Sequence, residues 1–145
     1  MRLMPLSLAA AALLAGCGET PDPWLAQASA AAGAVAGEDS VIASHAAFDA
    51  FECIAETPIL EVVQPGTLGM ASVGTTTETY VDPLAELAAE DESVEVGPCD
   101  GAEYEASAIL YASDPGVAGI DTVVYREFRD GGEPDRIHTV QVRVR

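Results

Sequence analysis

The chain has 145 residues, with 24 acidic side chains against six arginines, no lysine, and a net charge of −18. Such a balance excludes nucleic acid and anionic lipid headgroups as partners. The length suffices for one small domain with an extension, and no long-period repeat divides it.

From the start of the chain, Arg2 precedes an uncharged apolar run from Leu3 to Leu14. That run is shorter than the about 20 residues a membrane-spanning helix needs, and it has the shape of a secretory signal. It ends in Leu14-Ala15-Gly16-Cys17, which resembles the bacterial lipobox. The resemblance implies cleavage before Cys17 and diacylglycerol on its thiol. Gly18 resembles the default signal for outer-membrane sorting in many Gram-negative lipoproteins. Two or three acyl chains, at about 0.8 kcal/mol per buried CH₂, would anchor the protein stably. The alternative is an ordinary signal peptide with an incidental cysteine.

Gly18 to Pro23 is polar and turn-rich, and Ala26 to Ala36 is dominated by alanine with Gly33 inside. Alanine offers little to a core, so this stretch is expected to be a tether. The expected organisation is a signal peptide over 1–16, a lipidated N-terminus with an Ala-rich tether over 17–44, and a folded domain over 45–145.

Within that domain, Pro58 to Val63 predicts a strand ended by the Pro65-Gly66 turn, with Leu68 to Val73 as its partner. Asp82-Pro83-Leu84-Ala85-Glu86-Leu87 predicts a short helix, with Asp82 as N-cap and Leu84, Leu87 and Ala88 on one face. Glu90-Asp91-Glu92 opposes the helix dipole at its end. Tyr104 to Tyr111 predicts another strand. A final hairpin runs from Val123 to Phe128, turns through Asp130-Gly131-Gly132, and returns with Val140, Val142 and Val144 pointing in. The pattern predicts an all-β chain with a short helical insertion.

Between the Tyr104 strand and the last hairpin lies Tyr111-Ala-Ser-Asp-Pro-Gly-Val-Ala-Gly-Ile-Asp-Thr-Val-Val-Tyr125. Pro115-Gly116 is a turn pair, Gly119 permits a second bend, and the Asp121 carboxylate is expected to accept from nearby backbone N–H groups. The stretch resembles the closing motif of bacterial immunoglobulin-like and cadherin-like repeats. Tyr111, Gly116, Gly119, Asp121 and Tyr125 match by position, as do the Asp130-Gly131 turn and the three valines. Ser113, Val117 and Val123 replace a proline and two phenylalanines, and Glu127 stands where an apolar residue usually continues the inner face. The resemblance implies an immunoglobulin-like β-sandwich. In it Gly116, Gly119, Asp121 and Tyr125 form a structural corner, with the Tyr125 hydroxyl bonded to the corner's backbone.

With Cys17 lipidated, Cys53 and Cys99 are left as a pair in an oxidising compartment. A disulfide is the natural expectation, worth about 4 kcal/mol in the chain-entropy account. A redox or metal-binding pair is the alternative, unsupported by any Cys-x-x-Cys. Serine chemistry would need a base, and Gly69 to Gly74 lacks the spacing of a nucleophile elbow. His45 is expected at the linker boundary and His138 at a strand end, too far apart in sequence to predict a metal site. The acidic groups Glu90-Asp91-Glu92-Glu95 and Asp130-Glu133-Asp135 have no EF-hand pattern, so they are expected to be solvated faces, with weak calcium binding as the alternative.

No catalytic, cofactor-binding or metal residue is therefore assigned. The expected function is that of a lipid-anchored, non-catalytic envelope module. Its partners would be the membrane, through Cys17, and an envelope or extracellular protein or glycan. The alternative is an envelope hydrolase using carboxylates. A concave pocket with converging Asp and Glu side chains would favour the enzyme, and flat faces with exposed loops the module.

Overall fold

A computed structural model describes the backbone of residues 26–145 and the side chains from residue 30 onward. The expected signal peptide and Cys17 lie outside the described residues. The strands are β1 (Ala26–Ala34), β2 (Asp39–His45), β3 (Ala47–Asp49), β4 (Ile54–Glu56), β5 (Ile59–Gln64), β6 (Gly69–Thr79), β7 (Glu103–Ser113), β8 (Gly119–Phe128) and β9 (Arg136–Val144). One short helix, α1 (Ala85–Glu90), stands between β6 and β7. The all-β expectation holds.

The strands form a four-stranded sheet in the order β1-β9-β8-β5, a three-stranded sheet β2-β7-β6, and a small β3-β4 pair. All pairings are antiparallel except β1 with β9. Side chains from both larger sheets build one core. Leu60, Val123, Tyr125, Val140, Val142 and Val144 come from the first sheet, and Ile42, Ala71, Ile109 and Tyr111 from the second. The predicted inward valines of β9 are all buried. No phenylalanine joins this core, and Phe51 is 92% exposed.

Two expectations about pairing are corrected. The alanine-rich stretch is not a tether up to Ser44, because β1 and β2 belong to the sheets. Ala32, Ala34 and Ala36 face the core while Gly33 and Val35 face out, a period-two alternation hidden because both faces carry small residues. Ladder hydrogen bonds to β9 supply what the side chains lack. The second correction concerns β6, whose partner is β7 and not β5. Pro65-Gly66 carries the chain from one sheet to the other, so it is not a hairpin turn.

The helix also departs from expectation. Asp82 Oδ1 accepts from the Leu84 N–H at 2.8 Å, as a capping aspartate does, but Leu84 occupies the N-cap position. No residue of α1 is buried, and Leu84 and Leu87 stay about half exposed. Among the described residues, nothing buries the expected apolar face.

Candidate functional site

Along β8 the inward row is Asp121, Val123, Tyr125 and Glu127, set by the two-residue alternation of a strand. This row places a carboxylate at each end of the core. Each carboxylate organises a distinct cluster.

At the first end, Asp121 is 2% exposed and collects hydrogen bonds from three segments. Its carboxylate accepts from the Thr67 N–H at 2.9 Å, the Leu68 N–H at 2.8 Å, the Thr122 N–H at 2.8 Å and the Tyr111 hydroxyl at 2.5 Å. Burial pushes its pKa up, but these bonds stabilise the anion by more and hold it at about 2. The Tyr111 hydroxyl is shifted upward by burial and by this same bond. Gly116 has φ +77° in the turn after Asp114, and Gly119 has φ +146°, where an added β-carbon would stand 3.2 Å from Leu68.

The corner therefore exists with Asp121 at its centre, but its tyrosine is Tyr111. The expected bond from Tyr125 to the corner backbone is replaced by one to His45 at 2.6 Å. The reason is direction along the strand. Tyr125 lies four residues beyond Asp121 on β8, about 13 Å away at the rise of a strand, so its hydroxyl serves the other end of the core.

That other end holds the second cluster. His45 closes β2, Glu127 lies near the end of β8, and His138 is the third residue of β9. His138 Nε2 donates to Glu127 Oε2 at 2.7 Å, and His45 Nδ1 lies 3.8 Å from the same oxygen. The His45 and His138 ring centroids are 4.7 Å apart. Tyr125 stacks on His138 at 4.7 Å with only 6° between the planes, since the two are direct partners in the β8–β9 ladder. Burial lowers the His45 pKa, opposed by the charge of Glu127 and reinforced by His138 and Arg136. Burial, and then the Glu127 charge, raise the Tyr125 hydroxyl to about 12.

The cluster opens into a groove of about 600 Å³. His45 and Glu127 line it together with Glu56, Glu78, Asp130 and Glu133. Glu78 accepts from the Tyr104 hydroxyl at 2.8 Å and from the Ser44 hydroxyl. The Ser44 bond, then the Tyr104 bond, lower its pKa. Glu133 pairs with Arg129 at 2.6 Å.

Beside the groove, the β3–β4 hairpin is fixed in two ways. Phe48 packs against Tyr80 at 4.4 Å and Tyr104 at 4.9 Å. Cys53 is bonded to Cys99 across a sequence separation of 46, with α-carbons 5.2 Å apart. Cys99 is 1% exposed, whereas Cys53 is exposed and adopts φ +57° in the hairpin turn. Ser72 lies within continuous β6, so the strand-to-helix turn of a nucleophile elbow is not formed there.

The histidine cluster is what sequence reasoning missed. A partial signal was present, because Glu127 shares the inward parity of Val123 and Tyr125, and His138 that of Val140. The expectation that His45 marks a linker boundary is corrected, since β2 delivers it across the core to the other two. The continuous β8–β9 register through Glu127 and Arg136 carries Glu127 inward with Val123 and Tyr125. Comparisons of the chain with protein-family models, with curated proteins and with solved structures each find no match.

Proposed function

We propose that this protein is a lipid-anchored, non-catalytic module of a bacterial cell envelope. In this reading the all-β domain is an immunoglobulin-like β-sandwich tied to the membrane through Cys17. It acts in adhesion, protein interaction or envelope structure, with an envelope or extracellular protein or glycan as its partner. The observation that carries the reading is the Cys53–Cys99 bond. A structural disulfide persists in an oxidising compartment, which agrees with the export signal and with the lipobox resemblance.

An interaction role draws support from β6. This eleven-residue strand ends its sheet, and among the described residues no strand pairs with its outer edge, where the Ala71 N–H donates to the Pro65 carbonyl at 2.8 Å. From Gly69 to Thr77 it carries no charge, and Met70 and Val73 are exposed. Free strand edges without charges are the places where another chain adds a strand.

A second reading, a carboxylate-based hydrolase, draws on the groove, which is concave and lined by several acidic side chains. Against it, Glu78 has both oxygens engaged and a lowered pKa, the opposite of a general acid's requirement. Glu133 is held by Arg129, and Glu127 by His138.

The test combines anchoring with capture. Cys17→Ser is expected to move the protein from the detergent phase to the aqueous phase. Cross-linking of the wild-type protein in its own envelope is expected to trap a partner at β6. Detergent partitioning that survives Cys17→Ser would remove the lipid anchor, and turnover of a glycan or peptide bond lost with Glu78→Gln would favour the enzyme.

A further inference from the structure

We propose that His45, Glu127 and His138 form a binding site for a divalent transition metal of the zinc type, with one coordination position open to the groove.

The donor set suits such an ion. Two imidazole nitrogens and one carboxylate oxygen are ligands that Zn²⁺ accepts, and three protein ligands with a fourth position free is the pattern of an open zinc site. The ligand atoms of the three residues all lie within 4.8 Å of one another. A tetrahedral Zn²⁺ with bonds of about 2.0–2.1 Å sets its ligand atoms about 3.3 Å apart. The two distances to Glu127 Oε2, 2.7 Å from His138 and 3.8 Å from His45, straddle that value. Small rotations of side chains on fixed strands would therefore form the site.

The remaining ring atoms of both imidazoles are already oriented for a metal. His45 Nδ1 faces Glu127 at 3.8 Å, beyond hydrogen-bond reach, while its Nε2 is already held by Tyr125 at 2.6 Å. With a metal on Nδ1, Nε2 carries the hydrogen and donates to the tyrosine oxygen. That is the outer-shell contact by which proteins fix a ligating histidine. Tyr125 also lies flat against His138, so one buried side chain orients both imidazoles. At His138 the metal takes the place of the hydrogen now shared with Glu127.

The placement of the three residues also suits a bound ion. All three ligands stand on strands, and they come from different sheets: His45 from β2-β7-β6, Glu127 and His138 from β1-β9-β8-β5. A bound metal would thus clamp the two sheets at the end of the core. His45 and Glu127 line the groove, so an ion has a path in, and Glu56, Glu78 and Asp130 give that path a negative lining. Arg129 and Arg136 also line it and oppose this attraction, which favours a site defined by coordination over one defined by charge.

The experiment uses the full-length protein in detergent, stripped with EDTA and then given Zn²⁺ or Mg²⁺. We expect one tightly held Zn²⁺ per chain and a melting temperature raised by several degrees, with no shift from Mg²⁺. His45→Gln and His138→Gln should each abolish the Zn²⁺ shift. Co²⁺ in the wild-type protein should give the strong visible absorption of a four-coordinate site. If His138→Gln does not fold, His45→Gln, a substitution at a partly exposed side chain, and the Co²⁺ spectrum still decide. Equal Zn²⁺ effects in wild type and His45→Gln would assign the ion to the acidic surface and overturn the proposal. So would a stripped wild-type protein that retains no Zn²⁺ and shows no shift.

Discussion

Tyr111 and Asp121 are joined by a 2.5 Å hydrogen bond between a side chain with no solvent exposure and a carboxylate 2% exposed. The bond links β7 of one sheet to β8 of the other, while the same carboxylate holds the segment that crosses between sheets through Thr67 and Leu68. One anion thus ties three separate parts of the chain.

Tyr111→Phe should cost about 1.5–3 kcal/mol, the range for a hydrogen bond to a charged group, because it leaves a buried anion short of a donor. Tyr125→Phe should cost less, about 1 kcal/mol, since its partner His45 reaches the groove and water. Urea unfolding of both variants checks the order. A larger loss at Tyr125 would show that the His45 end of the core, and not the Asp121 corner, depends more on its tyrosine hydroxyl.

Acid should unfold the protein partly through Asp121. Its folded pKa of about 2 lies below the ordinary 3.8, so the folded state binds fewer protons at this site. The resulting stability, roughly 2 kcal/mol, is fully present above 3.8 and is lost as pH falls through about 2. Asp121→Asn should be less stable at neutral pH and lose less stability across that window. Parallel acid profiles of mutant and wild type would contradict this assignment.

Gly66→Ala should be more damaging than Gly119→Ala. Both glycines have positive φ, +108° and +146°, so any side chain is strained there. At Gly66 a β-carbon would also stand 2.5 Å from Asp121 Oδ2, inside the bonded network. At Gly119 it would meet only the end of Leu68 at 3.2 Å, a side chain able to move. The two melting temperatures, compared with wild type, check the ranking.

Replacing Cys53 and Cys99 together by serine should cost about 4 kcal/mol, given a sequence separation of 46. The bridge secures the β3–β4 hairpin, whose exposed Phe51 contributes nothing to the core. Mass spectrometry of the envelope-extracted protein, alkylated before and after reduction, should find both thiols only after reduction. Free thiols in the native protein, or no loss of melting temperature in the double variant, would show that the bond is not structural.

The sequence by itself determined the elements whose signal is local. The alternation of Val140, Val142 and Val144 named the buried face of β9, and Pro115-Gly116 marked a turn. The count of cysteines paired Cys53 with Cys99. Asp121 was legible as a carboxylate held by backbone N–H groups, because an aspartate after a glycine-rich turn has few other uses.

Only the tertiary structure decided what depends on which strands meet and how their ends align. β1 is a strand because β9 offers it a ladder, a fact that its alanines do not encode. Tyr111 and Tyr125 share inward parity, and only the lengthwise offset of the sheets gives Asp121 to one and His45 to the other. His45 and His138 stand far apart in the chain, yet β2 ends where β9 begins. Side-chain alternation fixes the face of a strand, but the partner across a core is fixed by the packing of whole sheets.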